Sequence, residues 1–133
     1  MNLLARLLTL ATVFALAAST PALAQPVTAV HGRIVERAMP ALPVHAAVLI
    51  RGANGFERDF VVREDGSFTV LNIAPGTYTF QSARRRGDEI VYGRPLSVYV
   101  HDGARYRLEL PAPGETWQPH VVDEQTSSLY VIR

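Results

Sequence analysis

Histidine and arginine are the side chains here best suited to catalysis, and their positions share a parity. His31, His45 and His101 occupy odd-numbered positions in stretches of alternating apolar residues, as does Arg51. Successive side chains on an extended chain point to opposite faces, so these four project outward together. An imidazole titrates near neutral pH and can activate water, and a guanidinium can hold a developing anion. His31, Arg51 and His101 are the set that an alternative, catalytic reading would use, on condition that they converge within hydrogen-bond reach in one subunit or across a dimer. The alternative is that they are surface residues on polar strand faces. No pair has the H-x3-H spacing of a metal motif, and the sequence lacks cysteine, so no metal ligands and no cofactor are assigned. Ser67, Ser82 and Ser97 lie in strand patterns without a G-x-S-x-G elbow. Gly52-Ala53-Asn54-Gly55 joins strand to strand, with no helix N-terminus to hold an anion. The balance points away from an enzyme.

Binding residues are sought among exposed arginines and aromatics, which interface hot spots favour. Arg84, Arg85, Arg86 and Tyr92 fall in what reads as a long loop before the sixth strand. Trp117 and Tyr130 stand in the C-terminal stretch, beyond the regular alternation. That stretch either completes the fold as a cap and added edge strand or adds to a partner's sheet through main-chain hydrogen bonds. Arg86-Gly87-Asp88 has the letters of an integrin-binding tripeptide, but three-letter matches often arise by chance, and a polar loop is the preferred reading.

The elements that must position these residues are strands. Val44, Ala46, Val48 and Ile50 alternate with His45, Ala47, Leu49 and Arg51. The same period of two covers a run from Val27 to Val35 and runs around Phe60, Phe68, Phe80, Val98 and Leu108, making seven strands. Glycine- and proline-rich turns such as Glu64-Asp65-Gly66 and Ala74-Pro75-Gly76 separate them. The expected core is Val30, Ile34, Val48, Ile50, Phe60, Val62, Phe68, Val70, Tyr78, Phe80, Val98, Val100, Leu108 and Leu110.

The first 24 residues read as a secretory signal peptide. Arg6 precedes an apolar run from Leu7 to Ala18, and Ala22-Leu23-Ala24 supplies the small-x-small cleavage pattern. The expected product is a periplasmic or secreted chain cut after Ala24, with one β domain over 25–111 and a tail over 112–133. Thirteen arginines carry all the basic charge, and only Arg6 lies in the first 24 residues. The remaining twelve balance twelve acidic residues, which argues against nucleic acid or an anionic membrane as the main partner. A protein or glycan outside the cytoplasm is the expected partner, and no transmembrane segment is expected in the mature chain.

Two linked motifs carry a family resemblance. Asp65-Gly66-Ser67-Phe68 followed by Pro75-Gly76-Thr77-Tyr78 resembles the "D-G-x-F" and "P-G-x-Y" strand openings of the carboxypeptidase regulatory-like domain. Val30-His31-Gly32-Arg33-Ile34 is similar to that family's first strand, and Leu96 to Leu110 to its closing pair, so the likeness spans Val27 to Pro111. Ala38 to Pro43 departs from the charged, glycine-containing turn common there. The resemblance implies an all-β, seven-stranded, antiparallel-rich sandwich of the prealbumin (transthyretin-like) kind with an extended C-terminal tail. It also implies a usually non-catalytic structural or recognition role. In that setting Asp65, Gly66 and Pro75, Gly76 form turns, while Phe68 and Tyr78 enter the core. Outer-face histidines with an arginine are similar to the hydroxyisourate hydrolases of the same fold, which gives the alternative of a small-molecule hydrolase. The chain departs from them in ending Leu129-Tyr130-Val131-Ile132-Arg133, without their closing Tyr-Arg-Gly-Ser.

Overall fold

Alternation places one side chain in two against the core, and the burial of each strand follows it. The computed structural model describes residues 27–124 and 128–130; the segment 1–24 expected as a signal peptide lies outside these. The described residues form ten strands: β1 (Ala29–Val35), β2 (Ala47–Gly52), β3 (Glu57–Val61), β4 (Ser67–Leu71), β5 (Gly76–Arg86), β6 (Glu89–Tyr92), β7 (Leu96–Val100), β8 (Arg105–Pro111), β9 (His120–Asp123) and β10 (Ser128–Tyr130). The first sheet runs β10-β9-β8-β1-β4. The second runs β3-β2-β5, with β6 and β7 sharing the far edge of β5. Among the described residues only β1 and β8 pair in parallel; every other ladder there is antiparallel. The arrangement is all-β and sandwich-like, and the described residues contain no helix.

Three strands exceed the seven that alternation marks. The triplet Arg84-Arg85-Arg86 reads as loop but continues β5 to eleven residues. Gly87 then takes a left-handed φ of 64°, and Glu89–Tyr92 returns beside it as β6. Both faces are wet at this end, with Arg85 and Arg86 exposed, so no apolar alternation announces the strand. Beyond Pro111 the chain crosses to pair β9 with β8, and β10 with β9.

The inward residues make one core. Val30, Ile34, Val48, Ile50, Tyr78, Phe80, Val100, Leu108 and Leu110 are fully buried, and burying such a side chain stabilises by roughly 1.5–3 kcal/mol. Phe60, expected among them, is half-buried and lies edge-on to Phe68 at 6.0 Å. Gly32 faces Phe68 across the β1–β4 ladder, and a Cβ there would overlap the phenyl ring. The glycine of the first strand and the phenylalanine of the fourth are thus one packing unit.

The turns are equally specific. Asp65 accepts the Ser67 amide at 3.0 Å and hydroxyl at 2.6 Å, and those bonds hold its carboxyl below the usual carboxylate range. Gly66, at φ 84°, lies so close to the Ile34 carbonyl that no side chain fits. After Pro75-Gly76, Tyr78 turns its hydroxyl back to donate to the Ala74 carbonyl at 2.6 Å. Ser82 points inward and donates to Pro111 O at 2.6 Å, a buried hydrogen bond between the sheets.

Candidate functional site

The three candidate catalytic residues separate. His31, on β1, occupies the outer face of the first sheet, where its Nδ1 lies 3.3 Å from Thr69 Oγ1. Arg51 belongs to β2 of the second sheet and pairs with Glu57 at 3.6 Å in solvent. His101 follows β7, its ring edge-on to Tyr99 at 4.7 Å. Within one chain, His31 and Arg51 lie on opposite outer faces, so no common water position joins them. His45 is exposed just before β2, its carbonyl taking a 2.7 Å hydrogen bond from Arg84 Nε. Among the described residues, no three or more His, Asp or Glu gather as metal ligands.

Trp117, read as a binding residue, is engaged within the fold. The Arg37 guanidinium sits 3.8 Å from its ring centroid, and its indole Nε1 donates to Glu115 Oε1 at 2.8 Å. Glu115 also accepts the amides of Arg37 at 2.9 Å and Ala38 at 3.1 Å. Partial burial pushes the Glu115 carboxyl up, but these three hydrogen bonds and the Arg37 charge outweigh it and leave the group low. This clasp fixes the root of the 38–43 loop to the tail. The loop overhangs a cleft of about 610 Å³ whose lining includes Arg33, Glu36, Leu42, Glu64, Asp65 and Glu109. Tyr130 is on β10, its backbone opposite Val121.

Arg84, Arg85, Arg86 and Tyr92 do come together, on the β5–β6 hairpin rather than in a loop. Register places Arg85 beside Ile90, and Ala83 beside Tyr92, on the outer face of the second sheet. The same ladders carry Ala47 and Val61 alongside Ala83, with Leu49 and Asp59 in the next row. The result is a strip of Val61, Ala47, Leu49, Ala83, Ile90 and Tyr92 across four strands. Val61 is 80% exposed, Ile90 50% and Tyr92 48%, high values for side chains of this kind on a strand face. Arg84 and Arg85 border the strip at the hairpin end, where a groove of about 390 Å³ opens between Val61 and Arg85. Polar atoms are in balance: no buried side-chain donor or acceptor among the described residues lacks a partner.

Leu49, Val61 and Ile90 were not among the residues singled out from the sequence. The signal lay in breaks of the alternation. Leu49-Ile50, Val61-Val62 and Ile90-Val91-Tyr92 place apolar residues on both faces of a strand, which a half-buried strand does not need.

No protein-family model matches the chain, and no curated protein or solved structure matches it.

Proposed function

We propose that the chain is an exported, non-catalytic binding module, released to the periplasm or extracellular space after cleavage at Ala24. In this reading its fold is the prealbumin-like sandwich of the carboxypeptidase regulatory-like domain, with β6, β9 and β10 as additions to seven shared strands. Support comes from the linked work of the motif residues. Gly32 makes room for Phe68, Asp65-Gly66 closes the turn before it, and Tyr78 locks the Pro75-Gly76 corner. The working surface is the outer face of the second sheet. The observation that carries this is the strip of exposed Val61, Ile90 and Tyr92 around half-buried Leu49, bordered by Arg84 and Arg85.

The partner on this reading is a protein that presents aliphatic or aromatic side chains, with a carboxylate near Arg85. A glycan is a poorer fit, because sugar recognition needs convergent polar groups around an aromatic platform, and the centre of this strip is aliphatic. The test compares capture from an envelope extract by the wild-type protein and by a Val61→Glu/Ile90→Glu variant. A defined protein retained by the first and lost by the second is expected. Identical capture by both, or capture abolished instead by His31→Ala, would move the function elsewhere on the molecule.

A further inference from the structure

Two turns at one end of the second sheet are tied together through a side chain that is itself reactive. Asn54 precedes Gly55 in the turn between β2 and β3. With no Cβ on the following residue, the next backbone nitrogen reaches the asparagine carboxamide more easily than in any other sequence. Asn72, the other asparagine among the described residues, precedes β-branched Ile73, which crowds that approach. The fold holds Asn54 back at three points. Its Oδ1 accepts the Phe56 amide at 3.1 Å, and its Nδ2 donates to the Tyr78 hydroxyl at 3.3 Å. The Gly55 nitrogen, the atom that would attack, donates instead to the Gly52 carbonyl at 3.1 Å. The Tyr78 hydroxyl also donates to Ala74 O at 2.6 Å, so it links this turn to the Pro75-Gly76 corner.

We propose that Asn54 is a deamidation site gated by the Tyr78 hydroxyl, and that its conversion loosens the two turns from each other. When the turn opens, the Gly55 nitrogen gives its proton to solvent base and attacks Asn54 Cγ. The Cγ–Nδ2 bond breaks, Nδ2 takes up a proton and leaves as ammonia, and a succinimide ring closes. Water then adds to one of the two ring carbonyls and splits its bond to the ring nitrogen. Opening at Cγ leaves aspartate at position 54. Opening at the backbone carbonyl leaves isoaspartate, with the chain running through Cβ and Cγ. The balance is water in and ammonia out, and solvent supplies every reactant. Both products lose the Nδ2 donor to Tyr78. Isoaspartate also adds a methylene to a turn closed by Gly55 N to Gly52 O at 3.1 Å and Gly52 N to Phe56 O at 2.8 Å. The hairpin end that loosens carries the Arg51–Glu57 pair, whichever face of the molecule binds a partner.

The experiment incubates the purified protein in mildly alkaline buffer, folded and in concentrated urea, and follows amide-to-acid conversion by peptide mass mapping. Conversion is expected at Asn54 and not at Asn72, and about tenfold faster in urea, because the folded turn must first open. Tyr78→Phe deletes the hydroxyl alone and should speed the folded reaction about fivefold, with the rate in urea unchanged. Glu115→Ala weakens the clasp instead and controls for general destabilisation; its folded rate at Asn54 should match wild type. Asn54→Asp reproduces one product. It should raise hydrogen exchange about fivefold at the Ala53 amide, which bonds Thr77 O at 3.1 Å across the two turns. Folded wild-type protein that converts as fast as in urea overturns the gate. So does Tyr78→Phe at the wild-type rate, or Glu115→Ala accelerated as much as Tyr78→Phe. Conversion at Asn72 in place of Asn54 overturns the site, and unchanged Ala53 exchange in Asn54→Asp overturns the loosening.

Discussion

On the outer face of the first sheet, polar side chains find one another. His31 meets Thr69, Arg107 reaches Glu124 at 4.0 Å, and His120 Nε2 lies 3.3 Å from Glu109. On the outer face of the second, the Arg51–Glu57 pair and the Thr79–Ser97 hydroxyl contact lie toward one end. The other end, toward the β5–β6 hairpin, is given to Leu49, Val61, Ile90 and Tyr92. Both sheets contribute alternate residues to the same core, so folding constrains their inner faces equally. Their outward positions are free of that constraint, and the two sheets spend the freedom differently. One face is given mainly to cross-strand polar contacts, with Leu71 exposed singly on its edge strand; the other gathers exposed apolar side chains on neighbouring strands, which is the usual mark of an interaction site.

The largest expected effect abolishes the contrast by breaking what the faces share. Gly32→Val drives a branched side chain into the Phe68 ring across the β1–β4 ladder. Overpacking of this kind costs about 3 kcal/mol, and a strand-favouring residue offsets little of it. Urea denaturation should show the free energy of unfolding falling by that amount, with both faces lost together.

A middle-sized effect belongs to the clasp at the sandwich end. Glu115→Ala removes the acceptor for two backbone amides and the Trp117 indole, and should cost about 1–2 kcal/mol in the same assay. Its pH dependence has a definite sign. The folded-state carboxyl is held lower than the unfolded one, so its contribution is complete above the unfolded value of about 4.3 and is lost as pH falls through the depressed folded value. The stability gap between wild type and Glu115→Gln should therefore be constant near neutrality and close in acid. Asp65, also held low, titrates in both proteins and cancels from the difference.

What was legible in the sequence follows from which forces act locally. The period of two and the Asp65-Gly66 and Pro75-Gly76 turns are written in neighbouring residues, and the strands they mark are found. The β5–β6 hairpin was hidden because Arg84, Arg85 and Arg86 pair through backbone, which any side chain permits. The role of Trp117 was hidden for another reason. Its partner Arg37 is eighty residues away in the chain, and a cation over a ring leaves no spacing to read. Outward parity put His31, Arg51 and His101 on one list, but parity is blind to which sheet a strand joins. The apolar strip needed three ladders to be assembled before Val61, Leu49 and Ile90 became neighbours.

The smallest expected effects on stability give the sharpest test of the contrast. His120→Ala on the first sheet removes a partly exposed contact to Glu109, and exposed pairs are worth about 0.2–1 kcal/mol. Val61→Thr on the second keeps a β-branched residue at an 80% exposed position, where substitutions usually stay within about 0.5 kcal/mol. Denaturation should barely separate these two variants from wild type or from each other. Capture of the partner should separate them fully, with His120→Ala retaining it and Val61→Thr weakening it. If both bind as wild type does, the exposed strip is ordinary surface and the two faces differ only in composition. If His120→Ala is the one that fails, the polar ladder is the working face, and exposed apolar area marks the wrong sheet.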